Sequence, residues 1–566
     1  MKNKKGLVVD AVVGFALTLL VAGSYLTGES FLAGIEFKAY DLRSKLRQTL
    51  KSPEEIVLVA IDDESIAQLG RWPWPRTRLA AVVDRIAAAG PKTIGLNVLF
   101  SEPEQSSGLI EVKRLEDKYR ELLAGRKVSQ RGVDFSLEFA SSTIALDSDS
   151  KLLASMQSAG SVVLPLFFTA NTTRAKVAAA PSEVSSAAVH HPVPADAYVI
   201  VQEKMIPPLS SFAGAVAGLG HSNLFTESDG VFRRDAPLVQ YDGVLYPSYA
   251  LRLVMAYQGL SPAEVKFVPG VELSAGRLRI PLDGDSMMAV TFLGPPGDTI
   301  KRASFRDVLA GSVSPDFFKE KIVLIGPTAL GVGSNSMTPV AGDFPAVEVV
   351  AHTVENMLHQ HFLTRPAWAQ KLEWGMIAVL GLFIMIVLPR LRAFGGVVVS
   401  LMLGVAVLGA GTYFFAVGQW IKIGYPLVLL VVGYLVVVSM SFLVAEKGKE
   451  LVEASQIETN KMLGLSFQGQ GMLDLAFEKF RLCPLDDNLK DTLYNLALDF
   501  ERKRQFSKAA AVFDHIAAKD PKYKDIAAKT KMLKAAADGA VCGGVGGGKK
   551  DGTMMIAGGS TKPTLG

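Results

Sequence analysis

A chain of 566 residues has room for several domains, and 49% hydrophobic residues with a positive mean hydropathy fit a protein that is partly embedded in a membrane. A net charge of +4 is small for that length, so composition gives no reason to expect nucleic acid as a partner. The two cysteines, Cys483 and Cys542, both lie late in the chain, which excludes a disulfide framework or a cysteine-based zinc site from everything before them.

Lys2, Lys4 and Lys5 precede an apolar run from Gly6 to Gly28 that only Asp10 interrupts. Val21-Ala22-Gly23 resembles a signal-peptide processing site, but the apolar core of such a peptide spans about 7–15 residues. The uncharged stretch from Ala11 to Gly28 is longer, which favours an uncleaved transmembrane anchor over residues 1–28. Lysines are retained on the cytoplasmic side, so residues 29–371 are expected outside.

That outer segment reads as α/β. Ile56 to Ile61 is a continuous apolar, β-branched run, the pattern of a strand buried on both faces, and Asp62 and Asp63 close it. Leu79, Val82, Val83 and Ile86 repeat at helical spacing before Gly90-Pro91, and a second strand is expected from Thr93 to Phe100. The resulting βαβ unit predicts parallel strands. A third pair follows, a helix near Lys151 to Ser158 and a strand from Ser161 to Phe168.

Ile61-Asp62-Asp63 and Trp72-Pro73-Trp74-Pro75-Arg76, within Val57 to Pro103, resemble the signature of the type-two CHASE extracellular sensor domain of bacterial receptors. Later blocks are similar to it in the same order: Gly220-His221-Ser222-Asn223 through Arg233-Arg234, Tyr246-Pro247-Ser248, Lys321 to Gly326, and Thr338-Pro339. The resemblance covers roughly residues 31–370 and departs at Asn97, where that family is expected to carry an acid. It implies a sensor for an extracytoplasmic ligand.

Asp62, Asp63, Trp72, Trp74, Arg76 and Asn97 are the candidate ligand-binding residues, because α/β sheets take ligands beyond their strand termini. Asp62 or Asp63 capping the next helix is the competing reading. Arg233 and Arg234 are potential partners for those carboxylates, or part of a solvated hairpin. Glu348, His352, Glu355 and His359 share one face of a helix expected from Pro345 to Phe362, opposite Val347, Val350, Val354 and Leu358. An ordinary amphipathic helix explains them better than a metal site, since neither the His-Glu-x-x-His spacing nor a third-element ligand is present. Gly326 to Gly333 lacks the Gly-Lys-Ser/Thr ending of a phosphate loop. No cofactor, metal or catalytic set is expected.

Two stretches read as insertions: Leu109 to Leu123, a charged helix with Val112, Leu115, Tyr119 and Leu122 on a face expected to pack on its own domain, and Ala170 to Ala197, expected to be a mobile surface loop.

Three apolar runs follow, Leu372 to Leu388, Phe394 to Val417 and Ile423 to Ala445, together residues 372–445. The second and third are uncharged throughout and meet the roughly 20 residues a spanning helix needs. The first is short, with Glu373 expected at its outer edge. Gly375, Gly381, Gly404, Gly409 and Gly411 would permit close packing. Arg390 and Arg392 mark the next cytoplasmic link, which gives four spans with both termini cytoplasmic.

Residues 446–468 continue as a juxtamembrane helix. Ala476 to Phe480 and Ala509 to Phe513 repeat Ala-x-x-x-Phe 33 residues apart within 469–535, which resembles the tetratricopeptide pattern and suggests a docked protein partner. Residues 536–566 are glycine-rich and expected to be a disordered tail. In one class of type-two CHASE receptors a similar tail enters a serine/threonine kinase domain at a stretch like Lys562 to Gly566, and no kinase motif occurs in this chain.

The sequence thus reads as a multi-domain membrane protein with an α/β extracytoplasmic domain, four transmembrane helices and a small all-α tetratricopeptide-like cytoplasmic domain. Its expected role is a multi-pass receptor of the bacterial inner membrane, with its large domain in the periplasm, a homo-oligomer that is the sensory part of a serine/threonine kinase. A self-assembling scaffold without small-molecule ligand is the alternative.

Overall fold

The computed structural model describes residues 4–28, 31–47, 52–104, 107–124, 129–169, 179–195 and 197–542. The tail expected over 536–566 lies outside them from residue 543 onward. Two compact units divide the chain, Met1–Val437 and Val438–Gly566.

In the first unit, α1 (Lys4–Thr27) and α2 (Phe31–Leu46) precede β1 (Ile56–Ile61), α3 (Asp63–Leu69), α4 (Arg76–Ala88) and β2 (Thr93–Leu96). Then come α5 (Ser107–Leu123), α6 (Gln130–Leu146), α7 (Ser148–Ala159), β3 (Val162–Thr169), β4 (Lys204–Ile206), β5 (Gly218–His221) and α8 (Tyr249–Gln258). The sheet is completed by β6 (Lys301–Ser304) and β7 (Ile322–Pro327), followed by α9 (Ala346–His359).

Every residue of β1 is buried, and its side chains alternate between two cores. Leu58 and Ala60 join Val254 of α8 and Val350 and Val354 of α9 on one face. Val57, Val59 and Ile61 join Val82, Val83 and Ile86 of α4 and Leu152 of α7 on the other. The seven-stranded sheet runs β6, β1, β7, β2, β3, after which β5 pairs β3 parallel and β4 pairs it antiparallel. β1 and β2 are parallel, as the βαβ reading requires, but β7 lies between them in register with both. β2 ends sooner than expected: Asn97 N–H still donates across to Ile325 O of β7 (2.8 Å), but Val98 N–H turns back to Leu96 O (2.9 Å).

Both insertions differ from expectation. α5 packs on α6, where the Tyr119 hydroxyl donates to Gly132 O (3.0 Å) and its ring meets Phe135 and Phe139. Leu115 and Leu122, read as part of the buried face, are exposed (43% and 64%) because the seam runs through Val112 and Tyr119 instead. Within Ala170 to Ala197, residues 170–178 and 196 lie outside the described residues. Val184, Ala187, Ala188 and Val189 are buried, and Val189 N–H bonds Leu245 O (2.8 Å), so this part is packed rather than a surface loop.

Among the described residues four helices are long and apolar enough to cross a membrane, Leu7–Thr27, Ala367–Arg390, Phe394–Ala416 and Gly424–Leu443. They are α1, α10 (Ala367–Leu382) with a π-helical turn Phe383–Val387, α11 (Ala393–Ala416) and the start of α12 (Gly424–Gly469). The second span therefore starts before Leu372 and is not short. Glu373 is fully buried near the start of its span, beside Arg365 and the link that carries Lys422. Its carboxylate accepts from the Tyr25 hydroxyl, from Arg365 Nη2 (2.6 Å) and from Lys422 N–H (2.8 Å), the pairing that a charge out of water requires. A Cβ on Gly381 would stand 2.7 Å from Thr18, so that glycine lets α1 and α10 touch, whereas Gly375 and Gly409 have nothing within 4 Å.

In the second unit, α13 (Leu473–Arg481), α14 (Asp487–Arg502), α15 (Phe506–Ala517) and α16 (Ile526–Cys542) follow the remainder of α12. The repeated Ala476, Phe480, Ala509 and Phe513 are buried in one core with Leu493, Leu496, Ala497 and Phe500.

Candidate functional site

A crevice of about 210 Å3 opens where β7, β2, β3 and β5 end, lined by Asn97, Pro165, Phe167, Ser222, Pro327 and the first turns of α9. This is the carboxyl edge of the parallel strands, the position where open α/β sheets take ligands. Among the six residues singled out from sequence, Asn97 lines it. The other five are not among its lining residues.

Asp62 is the N-cap of α3: its Oδ1 accepts from Ser65 N–H (2.8 Å) and from the Ser304 hydroxyl (3.0 Å), tying β1 to β6. Asp63 is exposed in the first turn. Trp74 is buried, donates its indole N–H to Gly70 O (2.7 Å), and packs against Trp72 and Phe305. The Arg76 guanidinium pairs with Asp149 and stacks over Phe100 at 5.0 Å, while its backbone N–H donates to Glu104 (2.8 Å). Arg233 and Arg234 do not meet Asp62 or Asp63. Arg233 pairs with Asp41 and Asp229 (2.7 Å each), and Arg234 with Glu227, Asp283 and Asp285.

The polar side of α9 is buried too, so this is not the half-solvated amphipathic helix that was expected. Its side chains satisfy a neighbouring backbone segment that forms no ladder of its own, residues 291–299. Asn356 accepts from Thr291 N–H (2.6 Å) and donates to Thr291 O (2.9 Å), and Glu348 accepts from Gly297 N–H (2.8 Å). His352 Nδ1 accepts from Leu293 N–H (3.3 Å), which leaves Nε2–H to donate to Thr299 Oγ1 (3.1 Å). Burial lowers the His352 pKa to about 3, consistent with that neutral ring. Among the described residues no group of His, Cys, Asp and Glu is arranged to hold a metal.

The second part of the site was missed from sequence. α2 lies between the sheet and the ends of the spans, and its buried Glu36 accepts from Arg43 Nη2 (2.8 Å), Trp420 Nε1 (3.0 Å) and Gly424 N–H (2.6 Å). Arg43 Nη1 reaches Ile421 O (3.0 Å). Tyr40 sits edge-on to Phe415 and Trp420. From the sheet side Arg233 grips Asp41 with two bonds (2.8 and 2.7 Å) and covers the Phe37 ring at 4.6 Å. One helix therefore holds the segment around Arg233, between β5 and α8, at one side and the link between the third and fourth spans at the other. Glu36 and Arg43, seven residues apart and so on one face of the helix, were the available signal.

A family model described as the CHASE2 domain matches residues 15–388. The chain belongs to the CHASE2 domain family. No curated protein and no solved structure matches the chain. The matched CHASE2 region starts inside α1 and ends in the second span, so it includes α2 and the sheet together. With its sensor domain and four apolar helices, the protein is a multi-pass membrane protein of sensory type.

Within the CHASE2 region, outside the seven-stranded sheet, one acid is held at a cost. Asp235 is 4% exposed, its Oδ2 has no hydrogen-bond partner among the described residues, and burial raises its pKa to about 7. The unfolded chain releases that proton near pH 4, at about 3.9. The folded form thus holds the proton more tightly. Its stabilising contribution is complete below pH 4 and is lost between pH 4 and 7 at about 1.4 kcal/mol per pH unit. Asp235→Asn should remove this loss, so its melting temperature relative to the natural protein should climb across that window. A difference that stays flat with pH would refute the assignment.

Proposed function

We propose that this protein is a bacterial transmembrane receptor whose CHASE2 module, residues 29–371, lies in the periplasm and takes an extracytoplasmic ligand. Four spans, with both termini cytoplasmic, relay its state through the juxtamembrane helix to the tetratricopeptide-like helices at 469–535. Those helices dock a protein partner, and the whole is the sensory part of a serine/threonine kinase acting as a homo-oligomer. Asn97, with Asp62, Asp63, Trp72, Trp74 and Arg76 behind it, is the proposed ligand side of the sheet. The observation that supports this reading is α2, which is ion-paired to Arg233 of the CHASE2 region through Asp41 and hydrogen-bonded to the link between the third and fourth spans through Glu36. A ligand shifts such a device only through unequal affinity for its two states.

Hydrogen exchange on the full chain in lipid nanodiscs, with fractionated periplasmic small molecules, tests it. An active fraction should slow exchange around Asn97 and also alter it at residues 418–424. In Arg233→Ala the first effect should persist and the second vanish. If no fraction moves both regions in the natural protein, the receptor reading fails.

One observation favours the second reading, a self-assembling scaffold. Val133, Leu137 and Ile144 form an exposed apolar row on α6 (43%, 63% and 71%) at the spacing of a helix-pairing seam.

A further inference from the structure

Between the sheet, α2 and the adjoining ends of the spans lies a cavity of about 870 Å3, larger than the crevice and different from it in kind. Its wall carries charges of both signs, and on the span side the acid Glu36 is already taken up by Arg43, Trp420 and Gly424. On the span side are Lys422 and Arg365, both beside the first or last turns of membrane helices. Arg365 is committed to Glu373 and Tyr25 through Nη2. Lys422 is not committed to an acid: among the described residues no carboxylate oxygen comes within 4.0 Å of its ammonium, which instead faces the rings of Tyr25 (5.7 Å) and Trp420 (6.0 Å). A half-buried ammonium held by two ring faces and open to a cavity is a position for an anion.

On the sheet side the balance is reversed. Glu227, Asp283 and Asp285 surround the single guanidinium of Arg234 at 2.6–2.7 Å, so this wall keeps an excess of negative charge, and Asp285, which lines the cavity, is 53% exposed. The cavity therefore complements a molecule that carries both an anionic and a cationic group.

A third feature indicates where such a molecule would come from. An entirely apolar groove of about 420 Å3 runs along the spans, lined by Leu17, Leu20 and Val21 of α1, Leu32 and Ile35 of α2, and Leu427 to Gly433 of α12. The polar cavity and the apolar groove share the α1–α2 corner and the first turns of α12, since Tyr425 lines one and Leu427 the other. A soluble zwitterion has no use for the groove.

We infer that the cavity is the head-group site of a zwitterionic, amine-bearing phospholipid, with its phosphate at Lys422 and Arg365, its ammonium at Asp283 and Asp285, and an acyl chain in the groove. This assignment stands whether or not the sheet senses a separate ligand. It makes a membrane lipid the wedge between the sheet and the spans.

Native mass spectrometry of the purified full chain in detergent tests it, with phosphatidylethanolamine, phosphatidylglycerol and soluble glycerophosphoethanolamine as probes. The protein should retain phosphatidylethanolamine in preference to phosphatidylglycerol. Lys422→Met should weaken both lipids about tenfold, the loss of one charge-assisted contact, and Lys422→Arg should restore them. Asp285→Asn should weaken the preference while leaving phosphatidylglycerol bound, and at 53% exposed this side chain can change without unfolding the chain. Equal retention by Lys422→Met, no lipid preference in the natural protein, or full displacement by the soluble head group at the lipid's own concentration would each overturn the assignment.

Discussion

Glu36→Ala is expected to destabilise the full chain in detergent by about 3–5 kcal/mol, the range for removing one partner of a buried ion pair. The carboxylate is 1% exposed and accepts from three donors, and the Arg43 guanidinium left behind is 4% exposed. Arg43 would retain the carbonyl oxygens of Ala39 and Ile421 as acceptors, but these do not neutralise its charge. Glu36→Gln keeps the shape and loses the charge, so it should fall between. Thermal unfolding followed by tryptophan fluorescence reads the effect directly, because Trp420 donates to the same carboxylate. A melting temperature unchanged in Glu36→Ala would show that α2 is not clamped to the span links in the way described.

Arg233→Ala should cost about 3 kcal/mol, at the lower end of that range, because the two acids it releases can partly rehydrate. Asp41 and Asp229 are 22% and 31% exposed, whereas Arg233 itself is 2% exposed. Its effect should also be local. Hydrogen exchange in α2 should rise strongly while β1 and β7, deep in the sheet, stay protected, since local opening reports the least supported element first. Arg233→Lys should not rescue it: an ammonium cannot make the paired bonds to both carboxylates that the planar guanidinium makes here. Equal protection of α2 in the variant and the natural protein would remove α2 as the link between sheet and spans.

What could be read in advance was whatever leaves a local trace. The apolar runs after Ala367 had to be helices, because lipid offers their backbone no other partner. β1 was legible because burial on both faces removes polar residues from the strand, and α4 because its core side repeats at helical spacing. Of the candidate ligand side, Asn97 lines the crevice, and it was singled out through the family resemblance rather than through a local pattern.

The rest depended on partners far along the chain. Nothing in Val57 to Leu96 announces that β7, more than 200 residues later, separates β1 from β2. Glu348, His352 and Asn356 look like a wet helix face until residues 291–299 are laid against them. Arg233, read as part of a solvated hairpin or as a partner of Asp62 and Asp63, is neither, because sequence order says nothing about which carboxylate folding delivers, and Asp41 lies 192 residues away. Residue order by itself determined the spans, the alternating strands and the family. The placement of buried charges, and with it the link from sheet to membrane, was decided only by tertiary structure, because a charge out of water takes as partner whichever opposite charge the fold brings within hydrogen-bond reach.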